Sequence, residues 1–117
     1  MTNASFSGPA PTNAYRKPSG SIDQVIELVS RTYHVRRPLI LNHSRCGAGA
    51  ARARQVAMYL SHVVLGRTLA EVGDAFDRDR TTVSYACHVV EDLRDDQAID
   101  AELDRLEAVI TGEMADA

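Results

Sequence analysis

The residues of this sequence with the most suggestive chemistry form a short run, Arg80, Thr81 and Thr82, with Tyr85 one helical turn further on. A threonine methyl group packs against the methyl group of thymine, and its hydroxyl hydrogen-bonds a base or a phosphate. An arginine binds guanine through two hydrogen bonds or holds a phosphate. If the run opens a helix, the positive end of that helix also favours a phosphate. These residue types in this order indicate a surface that contacts DNA.

Two helices and a tight turn are predicted to position this run. Thr68 and Glu71 form a capping-box signal that opens the first helix, and Asp79 is placed to cap the second. A short helix, a turn and a longer helix make a helix-turn-helix, whose second helix enters the major groove. Capped threonines and helical corners also occur in proteins that bind no nucleic acid, so the pattern alone leaves an ordinary structural corner open. The apolar faces are predicted at Leu69, Val72, Ala75 and Phe76 in the first helix, and at Val83, Ala86, Cys87, Val90 and Leu93 in the second.

The rest of the periodicity predicts an all-α fold, a small helical bundle of five helices and one turn that includes the helix-turn-helix. Ser21 and Gln24 form a second capping-box signal at the start of the first helix. This first helix is predicted to end at residues 36–38, and an apolar turn at 39–41 and a loop at 42–50 are predicted to follow it. A central helix is then predicted at 51–65, with Gly66 ending it. The central helix is predicted to bury Val56, Leu60, Val63 and Val64.

The last predicted helix carries a heptad-like apolar stripe at Ile99, Leu103, Leu106 and Ile110. Closing the bundle is the preferred interpretation of this stripe. A dimer interface is the alternative, so the sequence predicts a monomer or a weak homodimer.

Charge is distributed unevenly along the 117 residues, whose formal net charge is −3. Residues 16–54 hold eight basic side chains against two acidic ones, a net charge of +6, whereas residues 91–117 hold two against ten, a net charge of −8. Such asymmetry is a hint of nucleic-acid contact at the basic end, and a solvated surface with uneven charge explains it equally well. Residues 1–20 hold three of the four prolines and no apolar periodicity, which predicts a disordered N-terminal arm before a single domain at 21–117.

Several other functional classes are disfavoured by the composition. Cys46 and Cys87 form no C-x-x-C pair and the four histidines show no ligand spacing, so no metal and no cofactor is expected. The carboxylates at Asp92, Asp95 and Asp96 lie in a charge run typical of a solvated helix, so an enzyme is not expected. No apolar run is long enough for a membrane span or has the form of a secretory signal, which predicts a cytoplasmic protein without a membrane partner.

Three segments together resemble one known family. They are A-R-A-R-Q-V-A-M-Y-L at 51–60, T-L-A-E-V-G-D-A-F at 68–76 and D-R-T-T-V-S-Y-A-C at 79–87. In order, spacing and character they are similar to the C-terminal DNA-binding domain of the bacterial chromosomal replication initiator DnaA, over roughly residues 21–114. The resemblance implies a helical domain whose recognition helix reads the major groove of a nine-base-pair DnaA box. It also implies that an arginine from a basic loop enters the minor groove.

The resemblance also assigns roles to particular residues. Arg78, Asp79, Thr81 and Thr82 match the family signature G-R-D-H-T-T-V, which implies base and phosphate contacts for the threonines and a capping, base-neighbouring role for Asp79. Leu69 falls where the family contacts DNA through its backbone. The full set of expected DNA-contacting residues is Arg45, Arg52, Arg54, Leu69, Arg78, Asp79, Arg80, Thr81, Thr82 and Tyr85.

Departures from the family pattern change what is expected of this chain. Arg80 replaces the signature histidine, and a guanidinium and an imidazole prefer different bases. The basic loop retains Arg45 as its one cation, so fewer counterions are displaced and binding is expected to be weaker and less salt-sensitive. No G-x-x-x-x-G-K-[ST] motif is present, so no nucleotide is expected to bind through a P-loop.

The sequence therefore predicts sequence-specific binding of double-stranded DNA by a stand-alone helix-turn-helix protein. We expect a bacterial regulator of transcription or of initiator-like sites, associated with the nucleoid in the cytoplasm. The alternative is a protein-interaction module that has lost affinity for DNA and works through its acidic C-terminal helix.

Overall fold

Six helices account for nearly all of the described residues, 21–42 and 47–114, of the computed structural model, and these ranges contain no strand. The helices are α1 (Ile22–Tyr33), α2 (Arg37–Leu41), α3 (Ala48–Tyr59), α4 (Leu69–Phe76), α5 (Arg80–Leu93) and α6 (Gln97–Val109). A π-turn extends α3 at Leu60–Val64 and another extends α6 at Ile110–Met114. The predicted all-α class is confirmed. The predicted N-terminal arm, 1–20, lies outside the described residues.

The start of α1 is the predicted capping box, but its end differs from the prediction. The Gln24 N–H donates to Ser21 Oγ at 3.2 Å, and the Ser21 N–H donates to Gln24 Oε1 at 2.8 Å. The helix ends at Tyr33 because His34 takes a left-handed conformation, with φ of 57°. The expected end at residues 36–38 is therefore wrong.

The apolar segment after α1 is a short helix, α2, and not the predicted turn. Pro38 lies in its first turn, where a fixed φ favours a helix and a missing N–H costs nothing. Arg37 ties α2 to α1, because its guanidinium donates to the Asp23 carboxylate and lies 3.5 Å from Glu27 Oε1.

Helix α3 lies at the centre of the fold and packs against α1, α2 and α5. It begins at Ala48, so the predicted loop to residue 50 is too long by three residues. Burial of Val56 and Leu60 is confirmed, but Val63 is 47% exposed. The π-turn explains the difference: the Leu65 N–H donates to the Leu60 carbonyl five residues back, and this wider turn rotates Val63 away from the core.

Helices α4 and α5 form the predicted corner. The α4 capping box is confirmed: the Glu71 N–H donates to Thr68 Oγ1 at 3.0 Å, and the Thr68 N–H donates to Glu71 Oε1 at 2.9 Å. Ala75, predicted to be buried, is exposed, and the buried position is Gly73. Gly73 is buried because the chain folds back over its α-carbon at the corner.

Helix α6 begins after Asp96, whose carboxylate accepts hydrogen bonds from the Ala98 and Ile99 N–H groups at 2.8 and 3.2 Å. Leu103, Leu106 and Ile110 are buried in the same apolar core as the other helices. The stripe therefore closes the bundle within one chain, as preferred above.

Candidate nucleic-acid interface

The first turns of α5 present a polar face to solvent while the opposite face is buried. Thr81 and Thr82 are exposed, and Tyr85 is 66% exposed, the largest value among the large apolar side chains of the described residues. On the other side of the helix, Val83 and Ala86 are almost completely buried. The packing of the helix therefore depends on its buried face and leaves the threonine face available to a ligand.

The backbone at the start of α5 favours an anion. The N–H groups of Thr82 and Val83 donate to the Asp79 carbonyl at 3.0 and 3.2 Å, so those of Arg80 and Thr81 precede the first helical hydrogen bond. Asp79 is the N-cap, as predicted, but its carboxylate makes no capping hydrogen bond. The helix start is therefore set by backbone conformation, and the Asp79 carboxylate lies exposed beside the threonines.

The turn between α4 and α5 is unusually close. The Arg78 N–H donates to the Gly73 carbonyl at 2.8 Å. Asp77 takes the left-handed conformation, with φ of 56°, that commonly ends a helix. A Cβ atom on Gly73 would lie 2.5 Å from the Arg78 carbonyl oxygen. The absence of a side chain at Gly73 thus allows the tight approach that orients α5.

Two of the predicted DNA-contacting arginines are instead engaged within the chain. Arg54 donates to the carbonyls of Ile40 and Asn42 at 2.7 and 3.2 Å. Arg78 donates to the carbonyls of Phe76 and Asn42, both at 2.7 Å. The structure brings these two guanidinium groups together at one carbonyl oxygen, and direct DNA contact by either stays a prediction.

The remaining predicted residues have different surroundings. Arg52 is half-buried, with a buried Nε that lacks a hydrogen-bond partner among the described residues. It lies near Tyr33, where burial and then the charge of Glu102 raise the pKa of the phenol while the charge of Arg52 opposes them. Leu69 packs its side chain against the core, so any DNA contact there would involve its backbone. Arg45 lies outside the described residues.

One exposed residue of this face was missed by the sequence analysis. His88 is exposed and lies seven residues after Thr81 and three after Tyr85, on the same side of α5. The helical spacing of Thr81, Tyr85 and His88 is the signal that could have identified it.

The charge around the corner is mixed. Arg80 is exposed, and so are the carboxylates of Glu71, Asp74, Asp77 and Asp79. An excess of acidic groups near a phosphate backbone lowers affinity, so specific contacts must contribute much of any binding.

Within the described residues, no group of three or more potential metal ligands occurs, and no helix is long and apolar enough to cross a membrane.

Comparison with known proteins agrees with this geometry. Residues 22–90 match the family model described as the bacterial dnaA protein helix-turn-helix. The chain is 40% identical over 96 residues, or 80% of its length, to the chromosomal replication initiator protein DnaA of Bartonella quintana (strain Toulouse). It is 38% identical over 91 residues, or 76% of its length, to the DnaA of Mesorhizobium japonicum.

The match covers 19% and 18% of those two relatives, so the chain spans about a fifth of their length. The helix-turn-helix of this family is a DNA-binding module and not a catalytic one. The matched residues include α4, the corner and the exposed face of α5. The chain belongs to the family of bacterial DnaA helix-turn-helix domains.

Proposed function

We propose that this protein binds double-stranded DNA sequence-specifically and acts as a bacterial regulator at initiator-like sites, with residues 21–117 as the DNA-binding domain. The observation that carries the proposal is the exposed run Arg80, Thr81 and Thr82 at the N-terminus of α5. Packing gives no reason for two adjacent exposed threonines at this point. Their methyl and hydroxyl groups fit thymine and phosphate, and the major groove admits the end of a helix.

Arg80 is proposed to set the base preference of the protein. Its side chain is exposed at the first position of α5, next to the threonines. A guanidinium pairs with the O6 and N7 atoms of guanine, and each good pair of this kind discriminates by about 1–3 kcal/mol. The preferred site is therefore proposed to resemble a DnaA box but to differ from it at the base facing Arg80.

The proposed complex is small and needs no nucleotide or metal. One chain is expected to cover a short site, and weak dimerisation would show as paired sites at helical spacing. With few exposed cations at the corner, we expect a shallow dependence of affinity on salt. A DNA-binding protein of this kind is proposed to act at the nucleoid, in the bacterial cytoplasm.

The experiment that tests this function measures fluorescence anisotropy of two duplexes, one with a DnaA-box-like site and one with its scrambled sequence. Thr82→Ala is the test variant. Thr111→Ala is the matched control because it removes the same atoms from an exposed threonine on the π-turn after α6. Each protein is titrated at a low and a high salt concentration, and its fold is checked by circular dichroism.

We expect the wild type to prefer the box, and Thr82→Ala to lose about tenfold in affinity, or ~1.4 kcal/mol, while Thr111→Ala binds like the wild type. Equal binding to both duplexes would contradict sequence specificity for this site and call for selection from random DNA. No binding to either duplex at low salt would contradict the proposed function. The acidic α6 helix would then be tested for protein partners.

A further inference from the structure

The carbonyl oxygen of Asn42 accepts hydrogen bonds from two arginines that are far apart in the sequence. Arg78 Nη2 lies 2.7 Å from it and Arg54 Nη2 lies 3.2 Å from it. Asn42 follows the last residue of α2, Arg54 belongs to α3, and Arg78 lies in the corner between α4 and α5. One backbone oxygen thus joins the corner of the helix-turn-helix to two other helices.

The end of α2 needs such donors. The last four carbonyl groups of a helix have no partner within the helix. Because α2 is only five residues long, nearly all of its carbonyl groups are of this kind. Arg54 Nε donates to the Ile40 carbonyl at 2.7 Å, and its Nη2 also donates to the Leu39 carbonyl at 3.1 Å. A guanidinium offers five donors in a rigid fork and carries the positive charge that a helix C-terminus favours. Arg54 therefore acts as the C-terminal cap of α2.

Arg78 makes the corresponding bridge at the end of α4. Its Nη1 donates to the carbonyl of Phe76, the last residue of α4, at 2.7 Å. Its N–H is bonded to the Gly73 carbonyl. Arg78 directly precedes the N-cap of α5, and both its backbone and its side chain are therefore fixed by hydrogen bonds.

Arg80, two residues further on, is placed differently. It is exposed, and no hydrogen bond or ion pair joins its side chain to a described residue. A guanidinium already bonded to carbonyls within the chain is poorly placed to bind a phosphate, whereas an exposed one can turn toward DNA.

We propose that Arg78, supported by Arg54, is a positioning residue: it holds the corner against α2 so that the first turn of α5 meets the DNA groove at a fixed angle. This inference rests on the proposed function, because the orientation of α5 matters only if α5 reads DNA. It replaces the direct DNA contact that the sequence analysis expects of Arg78.

Salt dependence separates a positioning residue from a phosphate contact. Arg78→Ala, Arg78→Lys and Arg80→Ala are titrated with the box and scrambled duplexes from about 50 to about 200 mM salt. For Arg78→Ala we expect about tenfold weaker binding to the box and a smaller preference over the scrambled duplex. We expect the slope of log affinity against log salt to equal that of the wild type.

Arg78→Lys separates the effect of the positive charge from that of the planar guanidinium. Lysine keeps the positive charge but has no planar fork to span the Phe76 and Asn42 carbonyls. We therefore expect Arg78→Lys to bind nearly as weakly as Arg78→Ala. A slope that falls by about 0.9 in Arg78→Ala, with affinity restored by lysine, would identify a phosphate contact and overturn the proposal.

A second measurement needs no DNA. Amide hydrogen exchange is followed at Thr82 and Val83, whose N–H groups bond Asp79 at the start of α5, with Val29 in the core of α1 as the reference. We expect exchange at the α5 start to be about tenfold faster in Arg78→Lys than in the wild type, and unchanged at Val29. In Arg80→Ala we expect exchange like that of the wild type.

Wild-type exchange at Thr82 and Val83 in Arg78→Lys would overturn the proposal, whatever the binding data show. If the wild type binds neither duplex, the proposed function fails and the role in DNA reading fails with it. Faster exchange in that case would still show that Arg78 holds the corner.

Discussion

The carbonyl oxygen of Arg78 lies directly over the α-carbon of Gly73, at a place where a Cβ atom would be only 2.5 Å away. Alanine at this position would force the backbone of the corner to move. We expect Gly73→Ala to lower the free energy of unfolding by about 1–3 kcal/mol, because the overpacking outweighs a gain of up to ~1 kcal/mol in helix propensity. Chemical denaturation followed by circular dichroism measures this change.

The control is a second helical glycine that has free space. Gly49 lies near the start of α3, and nothing would lie within 4 Å of an added Cβ atom. We expect Gly49→Ala to be neutral or to stabilise the protein by up to ~1 kcal/mol. A Gly73→Ala protein as stable as Gly49→Ala would show that the corner is not sterically restricted.

Arg94 holds α6 against the rest of the bundle. Its guanidinium contacts the carboxylates of Asp100, Asp104 and Glu107 and, at 3.2 Å, the hydroxyl of Tyr59 in α3. Burial lowers the pKa of Arg94, but hydrogen bonds to Glu107, Asp100 and Tyr59 raise it above its ordinary value overall. The arginine therefore stays charged and balances three acidic side chains.

Without this cation the three carboxylates would repel one another. We expect Arg94→Met to lower the free energy of unfolding by about 1–3 kcal/mol, a range limited by solvent screening of the exposed partners. The loss is expected to shrink at high salt. Arg105→Met, which removes an exposed arginine of α6, is the control and is expected to change stability by less than ~0.5 kcal/mol. Equal losses in both variants would contradict the role of the network.

The buried thiol of Cys87 makes stability depend on alkaline pH. Burial, and then the nearby charge of Glu91, raise the pKa of Cys87 above its ordinary value of 9.0. In the unfolded chain the thiol loses its proton first as the pH rises, so the unfolded state binds fewer protons than the folded state. The stability contributed by the neutral thiol is complete below the ordinary pKa and is lost as the pH rises through the folded pKa.

Denaturation of wild type and Cys87→Ala between pH 7 and about pH 10, both in a Cys46→Ala background, tests this sign. We expect the wild type to lose stability more steeply with pH than Cys87→Ala. Tyr33, whose pKa is raised from 10.0 by burial and then by Glu102, contributes equally to both proteins. Parallel pH profiles would contradict the assignment to Cys87.

Local signals were sufficient where a single residue type decides the structure. The capping boxes at Ser21 and Thr68 depend on hydroxyl and carboxamide or carboxylate groups three residues apart, and both are present as predicted. The exposed threonines and the buried face of α5 follow from helical periodicity alone. The class of fold and the face of α5 were therefore predictable.

Features that depend on distant contacts were not predictable. The π-turn after Tyr59 rotates Val63 outward although the pattern continues the helix. Arg54 and Arg78 meet at Asn42, which lies 12 positions from one arginine and 36 from the other, and no local spacing encodes this contact. Both arginines match the pattern of DNA contacts in sequence, but only the folded chain reveals the carbonyls that engage them.

Arg80 provides the most direct test of specificity, because its exposed side chain replaces the signature histidine beside two matching threonines. We expect Arg80→His to shift the preferred base at one position of the site away from guanine and to leave the other positions unchanged, since a guanidinium and an imidazole offer different hydrogen bonds. Selection of duplexes from a random pool by wild type and Arg80→His would show this shift. Exchanging that one base should change the relative affinity of the two proteins by roughly 5–150-fold, equivalent to ~1–3 kcal/mol.

Arg36→His, which makes the same change at an exposed residue before α2, is the control and should select the wild-type sites. Identical sites for all three proteins would contradict base reading by Arg80 and would leave it at most a contact to the phosphate backbone, because phosphate contacts carry no sequence information directly.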